Sequence, residues 1–243
     1  MAARRVGASQ FIGFSIGACN FNGAFTVATI ARCPAGTDGT TLSGIRLFNG
    51  AFSSVLQCQR KSNNKLECIL RFADFVESPT ITFMESDGWC LIMYRKQAGS
   101  QTVGFAKVTL DANLTTAAEN TVATYADHNP GGDINNFDIF GNCFDVFCFA
   151  VWNTYLVGYG NALASYLSAW LHTPPKAFMV LDQSSTSQKI SDLSGNGSNE
   201  ASASATTVLP EGIPGFSYGH PIAIEEHKLG NPKNYRVQPP IMV

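Results

Sequence analysis

The chain has 243 residues, of which 45 % are hydrophobic and only 14 % charged, with a formal net charge of −2. That balance gives no electrostatic footing for nucleic acid or an anionic membrane surface, and no run approaches the ~20 apolar residues that a membrane span needs. The 17 phenylalanines supply ample core for one domain, and a surface poor in charge but rich in Ser, Thr, Asn and Gly suits a protein that is secreted, glycan-facing or packed into an assembly.

Near the start, Arg4 and Arg5 precede a modestly apolar stretch from Phe11 to Ala18, interrupted by Gly13, Ser15 and Gly17. It reads as an edge strand opening the domain rather than as a signal peptide, whose apolar region would be longer and unbroken. Phe25 to Arg32 alternates Thr and Ala with Phe, Val and Ile as a strand does, and Cys33-Pro34 with the Gly/Thr-rich stretch Ala35 to Gly44 reads as a loop. Val55–Arg60 and Lys65–Phe72 are the arms of a hairpin turning at Ser62-Asn63-Asn64, followed by an apolar stretch at Thr80–Met84. Folding about Asn63 sets Cys58 opposite Cys68, where a cross-strand bridge is geometrically possible if the Cβ atoms come within ~3.8 Å. The total of 7 cysteines is odd, and Cys33, Cys90, Cys143 and Cys148 sit among apolar residues, so reduced thiols throughout is the favoured state.

Asp87-Gly88 turns the chain into a strand at Trp89–Tyr94, and Ala98-Gly99-Ser100 turns it back along Thr102–Leu110. Asp111 to Asn136 is polar and Gly-rich and reads as a long exposed loop. The most apolar part of the chain then runs from Phe137 to Leu171. Its first half, with Phe144, Val146, Phe147, Phe149, Val151 and Trp152, carries apolar residues on both alternating faces, the pattern of a strand buried on both sides in the middle of a sandwich. Its second half changes period: Leu163, Tyr166, Leu167 and Trp170 form one stripe of a short helix, capped by Asn161 and ended by Pro174-Pro175. Ala177–Leu181 is one more strand. Asp182 to Ala205 turns to Ser, Thr, Asn and Gly and reads as a loop, and six prolines from Leu209 to Val243 give extended chain. Such a tail orders only along a surface, its own sandwich's or a neighbouring subunit's. The expected organisation is one sandwich domain over residues 1–208 and a docking tail over 209–243.

Three pieces resemble one family: Asp87-Gly88-Trp89-Cys90-Leu91-Ile92 with Lys96 and Gly99; the run Phe144 to Asn153 leading into a helix that ends at Trp170; and Leu181-Asp182-Gln183-Ser184-Ser185 with Asp192-Leu193-Ser194-Gly195-Asn196-Gly197 and Pro214-Gly215-Phe216. Together they look like the laminin-G-like, concanavalin A-type jelly-roll proteins encoded by bacteriophages of actinobacteria, regarded as minor tail or other virion components. The likeness spans about residues 21 to 216 and lies in pattern and order more than in any invariant motif. It implies an all-β, two-sheet antiparallel jelly roll, the architecture that periodicity gives independently. It also implies a virion structural role, as minor tail protein or capsid decoration, with other virion proteins as partners, homo-oligomers, and host-surface glycans as candidate ligand. The many cysteines and the tail beyond Phe216 depart from the family.

Glucanases of this fold resemble one another through a strand spelled Glu-x-Asp-x-x-Glu, whose carboxylates serve as nucleophile and general acid. Glu85-Ser86-Asp87-Gly88-Trp89-Cys90 begins that spelling and ends it with a cysteine, and its Asp-Gly is a turn. Calcium is the other occupant to weigh: Asp127, Asp133 and Asp138 could supply oxygens, although Asp/Asn/Gly clusters are ordinary turn formers. No other cofactor is implied. His128, His172, His220 and His227 stand apart from any Ser or Cys that they could activate. For sugar binding the candidates are Trp89 beside its Gly turn, with Asp133, Asn135 and Asn136 from the loop ahead of the central strand; for each tryptophan, core packing is the competing reading. The expected function is a non-enzymatic virion protein. The alternatives are a free-standing carbohydrate-binding module and, behind it, a glycoside hydrolase.

Overall fold

A computed structural model describes residues 3–7, 11–19, 23–49, 55–72, 75–77, 79–98, 103–109, 117–122, 134–156, 175–181, 190, 192, 194, 196, 200–203 and 206–209. These residues form strands β1 (Ala3–Val6), β2 (Phe11–Cys19), β3 (Phe25–Arg32), β4 (Leu42–Phe48), β5 (Val55–Arg60), β6 (Lys65–Phe72), β7 (Phe75–Glu77) and β8 (Thr80–Thr82). After a 3₁₀ turn at Glu85–Asp87 come β9 (Cys90–Lys96), β10 (Val103–Thr109), β11 (Ala117–Val122), β12 (Ile134–Phe140), β13 (Asp145–Trp152), β14 (Ala177–Val180), β15 (Glu200–Ala203) and β16 (Thr206–Leu209).

Two sheets of eight strands result, the first in the order β11-β10-β9-β3-β13-β1-β16 with β14 also on β13, the second in the order β15-β2-β12-β4-β5-β6-β7 with β8 also on β6. Every pairing between these strands is antiparallel. The chain passes repeatedly from one sheet to the other, so that strands distant in sequence lie side by side. This is an all-β, two-sheet antiparallel jelly-roll sandwich.

The core lies between the sheets. Phe14 and Phe137 of the second sheet stack with centroids 5.3 Å apart, and Phe137 stacks on Phe149 of the first at 3.6 Å, so one column of rings ties β2, β12 and β13 together. Phe83 meets Phe144 edge to face at 5.4 Å. Gly44 belongs to this contact, because a Cβ there would sit 2.3 Å from Phe144 Cε2 and 2.7 Å from the Cys58 carbonyl oxygen. The pairing of β4 with β5 shifts register between Ser43 and Arg46, where Phe144 lies against bare backbone.

The central strand behaves as its composition predicts: β13 is buried along its whole length, Trp152 included. The hairpin arms of β5 and β6 are found at the expected residues, with Cys58 directly opposite Cys68 and Asn64 at φ 60° in the turn. The two thiols are unbonded, their Sγ atoms 4.0 Å apart. Four sequence readings need correction. Phe11–Ala18 is not an edge strand opening the domain, since β1 precedes it and β2 lies between β15 and β12. The supposed loop from Asp111 to Asn136 contains β11 and the start of β12, the stretch from Asp182 to Ala205 contains β15, and the supposed loop ending at Gly44 already contains the first residues of β4. In each of these last three cases a polar or Gly-containing strand is held by pairing to neighbours that composition does not show. The last strand runs to Leu209, one residue past the expected boundary. The predicted helix with its stripe Leu163, Tyr166, Leu167 and Trp170 lies outside the described residues, as does the tail from 210 onward.

Candidate functional site

The end of the sandwich beside the 3₁₀ turn is built around Arg60, the last residue of β5, whose side chain is fully buried. Its Nη1 donates to Asp38 Oδ1 at 3.0 Å and to Cys33 Sγ at 3.2 Å, while Nη2 donates to the Thr37 carbonyl. Asp38 Oδ1 also accepts from the Glu85 amide at 3.1 Å, and Glu85 Oε1 accepts from the amides of Asp38, at 2.7 Å, and Thr37. Those backbone donors, Asp38's first, hold the Glu85 carboxyl below its usual range. Asp87 is held in turn, its Oδ2 accepting from Lys107 Nζ at 2.8 Å and from the Met84 amide at 2.7 Å. The half-written glucanase spelling is therefore a brace across a loop. In the place of its second glutamate stands the Cys90 thiol, pushed up to about 12 by burial; burial pushes Cys33 up to about 12 as well.

Trp89 is only 5 % exposed, and the guanidinium carbon of Arg32 lies 5.0 Å from its ring centroid. Arg32 Nε in turn donates to Asp145 Oδ2 at 2.9 Å, and Arg5 grips the same fully buried carboxylate through Nε at 2.7 Å and Nη2 at 3.0 Å. Trp89 thus ends a row running Arg5, Asp145, Arg32, Trp89 across three strands of the first sheet and the lead-in to β9. A ring this buried, with one face already under a cation, fits the core-packing reading of Trp89 rather than a sugar-stacking platform.

Of the remaining predicted residues, those that the structure describes all lie on β12. Asp127 and Asp133 lie outside the described residues. Asn135 is exposed and accepts a 2.6 Å hydrogen bond from Asn136 Nδ2 at the start of β12. Asp138, two residues further along the same face, is buried, and each of its oxygens accepts one hydrogen bond from Arg46: Oδ1 from Nε at 3.1 Å, Oδ2 from Nη2 at 2.5 Å. A carboxylate engaged in this way does not fit a calcium site, since the cation would have to displace a bidentate guanidinium. Among the described residues no group of three or more His, Cys, Asp and Glu side chains is placed to hold a metal ion.

What sequence reasoning missed is the outer face of the second sheet. Alternation turns Phe137 and Ile139 inward and Asn136, Asp138 and Phe140 outward, and the register carries that face across the sheet. Asp138 lies opposite Gly13 of β2 and Arg46 of β4, Arg46 opposite Gln57 of β5, and Phe140 opposite Phe11. The Arg46 guanidinium lies between two rings, 4.5 Å from the Phe140 centroid and 4.9 Å from that of Phe48. Phe11, at 42 % exposure, is the exposed large hydrophobic side chain among the described residues. Burial drives the Asp138 carboxyl above its usual range, even though Arg46 pulls it down. Only register assembles these residues, which come from positions 11 to 140 of the chain, and the usable signal was the short alternation Asn136-Phe137-Asp138-Ile139.

No protein-family model and no curated protein matches the chain. Among solved structures, a heptameric SAP-like pentraxin from Limulus polyphemus is similar over 86 % of this chain and 94 % of its own, with 9 % identity and a TM-score of 0.49. Domains LG4–5 of the mouse laminin alpha1 chain match 63 % of this chain and 42 % of theirs, at 6 % identity and a TM-score of 0.48. The enzymatically active domain of tailspike protein 2 of bacteriophage CBA120 matches 71 % of this chain and 29 % of its own, at 10 % identity and a TM-score of 0.48. The architecture assigned above rests on the strand order of this chain itself.

Proposed function

We propose that the chain is a non-enzymatic structural protein of a bacteriophage virion, a minor tail or decoration component, whose jelly roll presents a lectin-like surface to host glycans. One observation carries the non-enzymatic part: every carboxylate whose side chain the structure describes is already engaged, by a cation in Asp38, Glu67, Asp87, Asp138 and Asp145 and by backbone amides in Glu85 and Asp192. General acid and nucleophile need carboxyls free to face a substrate, so this pattern supports binding or assembly over hydrolysis. The virion part is supported by the resemblance drawn above and by a surface poor in charge, with the Pro-rich residues 209–243 as the docking segment. Proteomics of gradient-purified particles tests it. The protein should co-purify in fixed stoichiometry, and its absence from the particles would defeat the virion reading. Purified protein should release no reducing ends from bacterial cell-wall polysaccharide; activity abolished by Glu85→Gln would defeat the non-enzymatic reading.

A further inference from the structure

We infer that the outer face of the second sheet, across β2, β12, β4 and β5, is a binding site for a neutral glycan, with Phe11 and Phe140 as its apolar floor and Arg46, Asp138, Asn136 and Gln57 as its polar contacts. This deepens the glycan-binding part of the reading above and rests on it.

An ordinary solvated sheet face carries separate, hydrated polar side chains. Here the Arg46 guanidinium lies between two rings and its partner Asp138 is buried, an arrangement built into the sheet rather than scattered over it. Each oxygen of Asp138 accepts one hydrogen bond from Arg46 and has a second lone pair, so the carboxylate still has room for a hydroxyl donor. The amides of Gln57 and Gln59 are only half-buried and, among the described residues, have no hydrogen-bond partner, and there the Asn136 amide spends a donor on Asn135 but no acceptor. Donors and acceptors in two orientations beside exposed aromatic carbon match a sugar, which offers hydroxyls on its edge and C–H groups on its face.

Charge decides which sugar. Arg46 and Asp138 are the charged residues that β2, β12, β4 and β5 place on this face, since Arg60 points into the core, and the two cancel. An anionic ligand would find no uncompensated cation, and a cationic ligand no uncompensated carboxylate, whereas a neutral polyhydroxyl ligand needs neither. Phe11 and Phe140, cross-strand neighbours about 5 Å apart, set a ring floor one row from the ion pair.

Isothermal titration calorimetry of the full chain against maltohexaose, cellohexaose and mannohexaose tests this, with oligogalacturonate as the acidic comparison. At least one neutral hexaose should bind, with an affinity changing less than twofold between 50 and 500 mM salt, roughly as expected for an uncharged ligand. Phe11→Ala and Gln57→Ala, both at exposed or half-exposed positions, should each weaken it about tenfold, a loss of ~1.4 kcal/mol. Asn63→Ala at the hairpin tip should change nothing. A neutral hexaose bound equally by wild type, Phe11→Ala and Gln57→Ala would overturn this face and leave the glycan reading standing. Binding of the acidic oligosaccharide alone would overturn the neutral assignment. A chain that binds no glycan but forms a dimer dissolved by Phe11→Ala would overturn both, assigning the face to self-association.

Discussion

The two sheets differ most on the sides they turn away from each other. On the first, Ala28, Ile30, Leu91, Met93, Ala106, Val108, Ala150, Trp152 and Phe178 are all buried although they point away from the sandwich core. On the second, the corresponding positions Phe11, Ser15, Arg46, Gln57, Asn136 and Phe140 are exposed or half-buried, with the ion-paired Asp138 buried among them. Residues 154–156 show part of what lies against the first: Thr26 Oγ1 donates to the Thr154 carbonyl and accepts from the Leu156 amide, Arg95 Nη1 donates to the Leu156 carbonyl at 2.8 Å, and the Arg95 guanidinium lies 4.9 Å from the Tyr155 ring centroid. The first sheet is thus packed on both faces, which antiparallel sheets do when a further layer covers them. The second keeps one face for water or for a ligand.

Truncation at matched positions would break this contrast most sharply. Trp152→Ala should cost about 3–5 kcal/mol, the loss expected of a fully buried large aromatic, as read by urea unfolding. Phe140→Ala, an aromatic on the outward side of the other sheet, should cost under about 1.5 kcal/mol, because a half-buried ring loses less on truncation. Equal losses at the two sites would mean that the second sheet is covered too. Between these extremes comes Gly44→Ala. Its new methyl must displace either the Phe144 ring or the backbone at Cys58, and an overpacking cost of about 1–3 kcal/mol should follow. A neutral result would show that the β4 register shift can relax.

The same contrast explains what was readable in the sequence. The first sheet's strands are near-continuous apolar runs, so β3, β9 and β13 could be placed within a residue or two, and burial of β13 on both sides followed from Phe147 onward being apolar at every step. The second sheet's hairpin could be placed because Asn63-Asn64 marks its turn. Leu42–Phe48 and Ile134–Phe140 were obscured by Gly44 and by paired asparagines, and Glu200–Ala203 by a run of small polar residues. Nothing local makes those segments strands; their partners do. The candidate face suffered most, since Phe11, Arg46 and Asp138 become neighbours only once β2, β12 and β4 are in register. Trp89 was ambiguous for the opposite reason, because its local setting resembled an exposed turn while Arg32, far upstream in sequence, covers it.

The smallest expected effect, and a sharp one, is in pH. Glu85 and Asp138 are carboxyls shifted in opposite directions, one at the braced end and one on the candidate face. For Glu85 the folded value is depressed by backbone donors, so its contribution to stability is present above the unfolded value of about 4.3 and is lost as pH falls through the lower folded value. For Asp138 the folded value is raised by burial. The fold therefore favours the protonated form, and the associated stability is present below the unfolded value of about 3.9 and lost as pH rises through the higher folded value. Urea midpoints taken from acid to neutral pH should show the wild type gaining on Glu85→Gln as pH rises, and losing ground to Asp138→Asn over the window just above pH ~4. Gaps that move in the same direction for both variants would mean that Asp138 is as well solvated as an ordinary surface aspartate, and the ion pair would no longer distinguish its face from any other part of the surface.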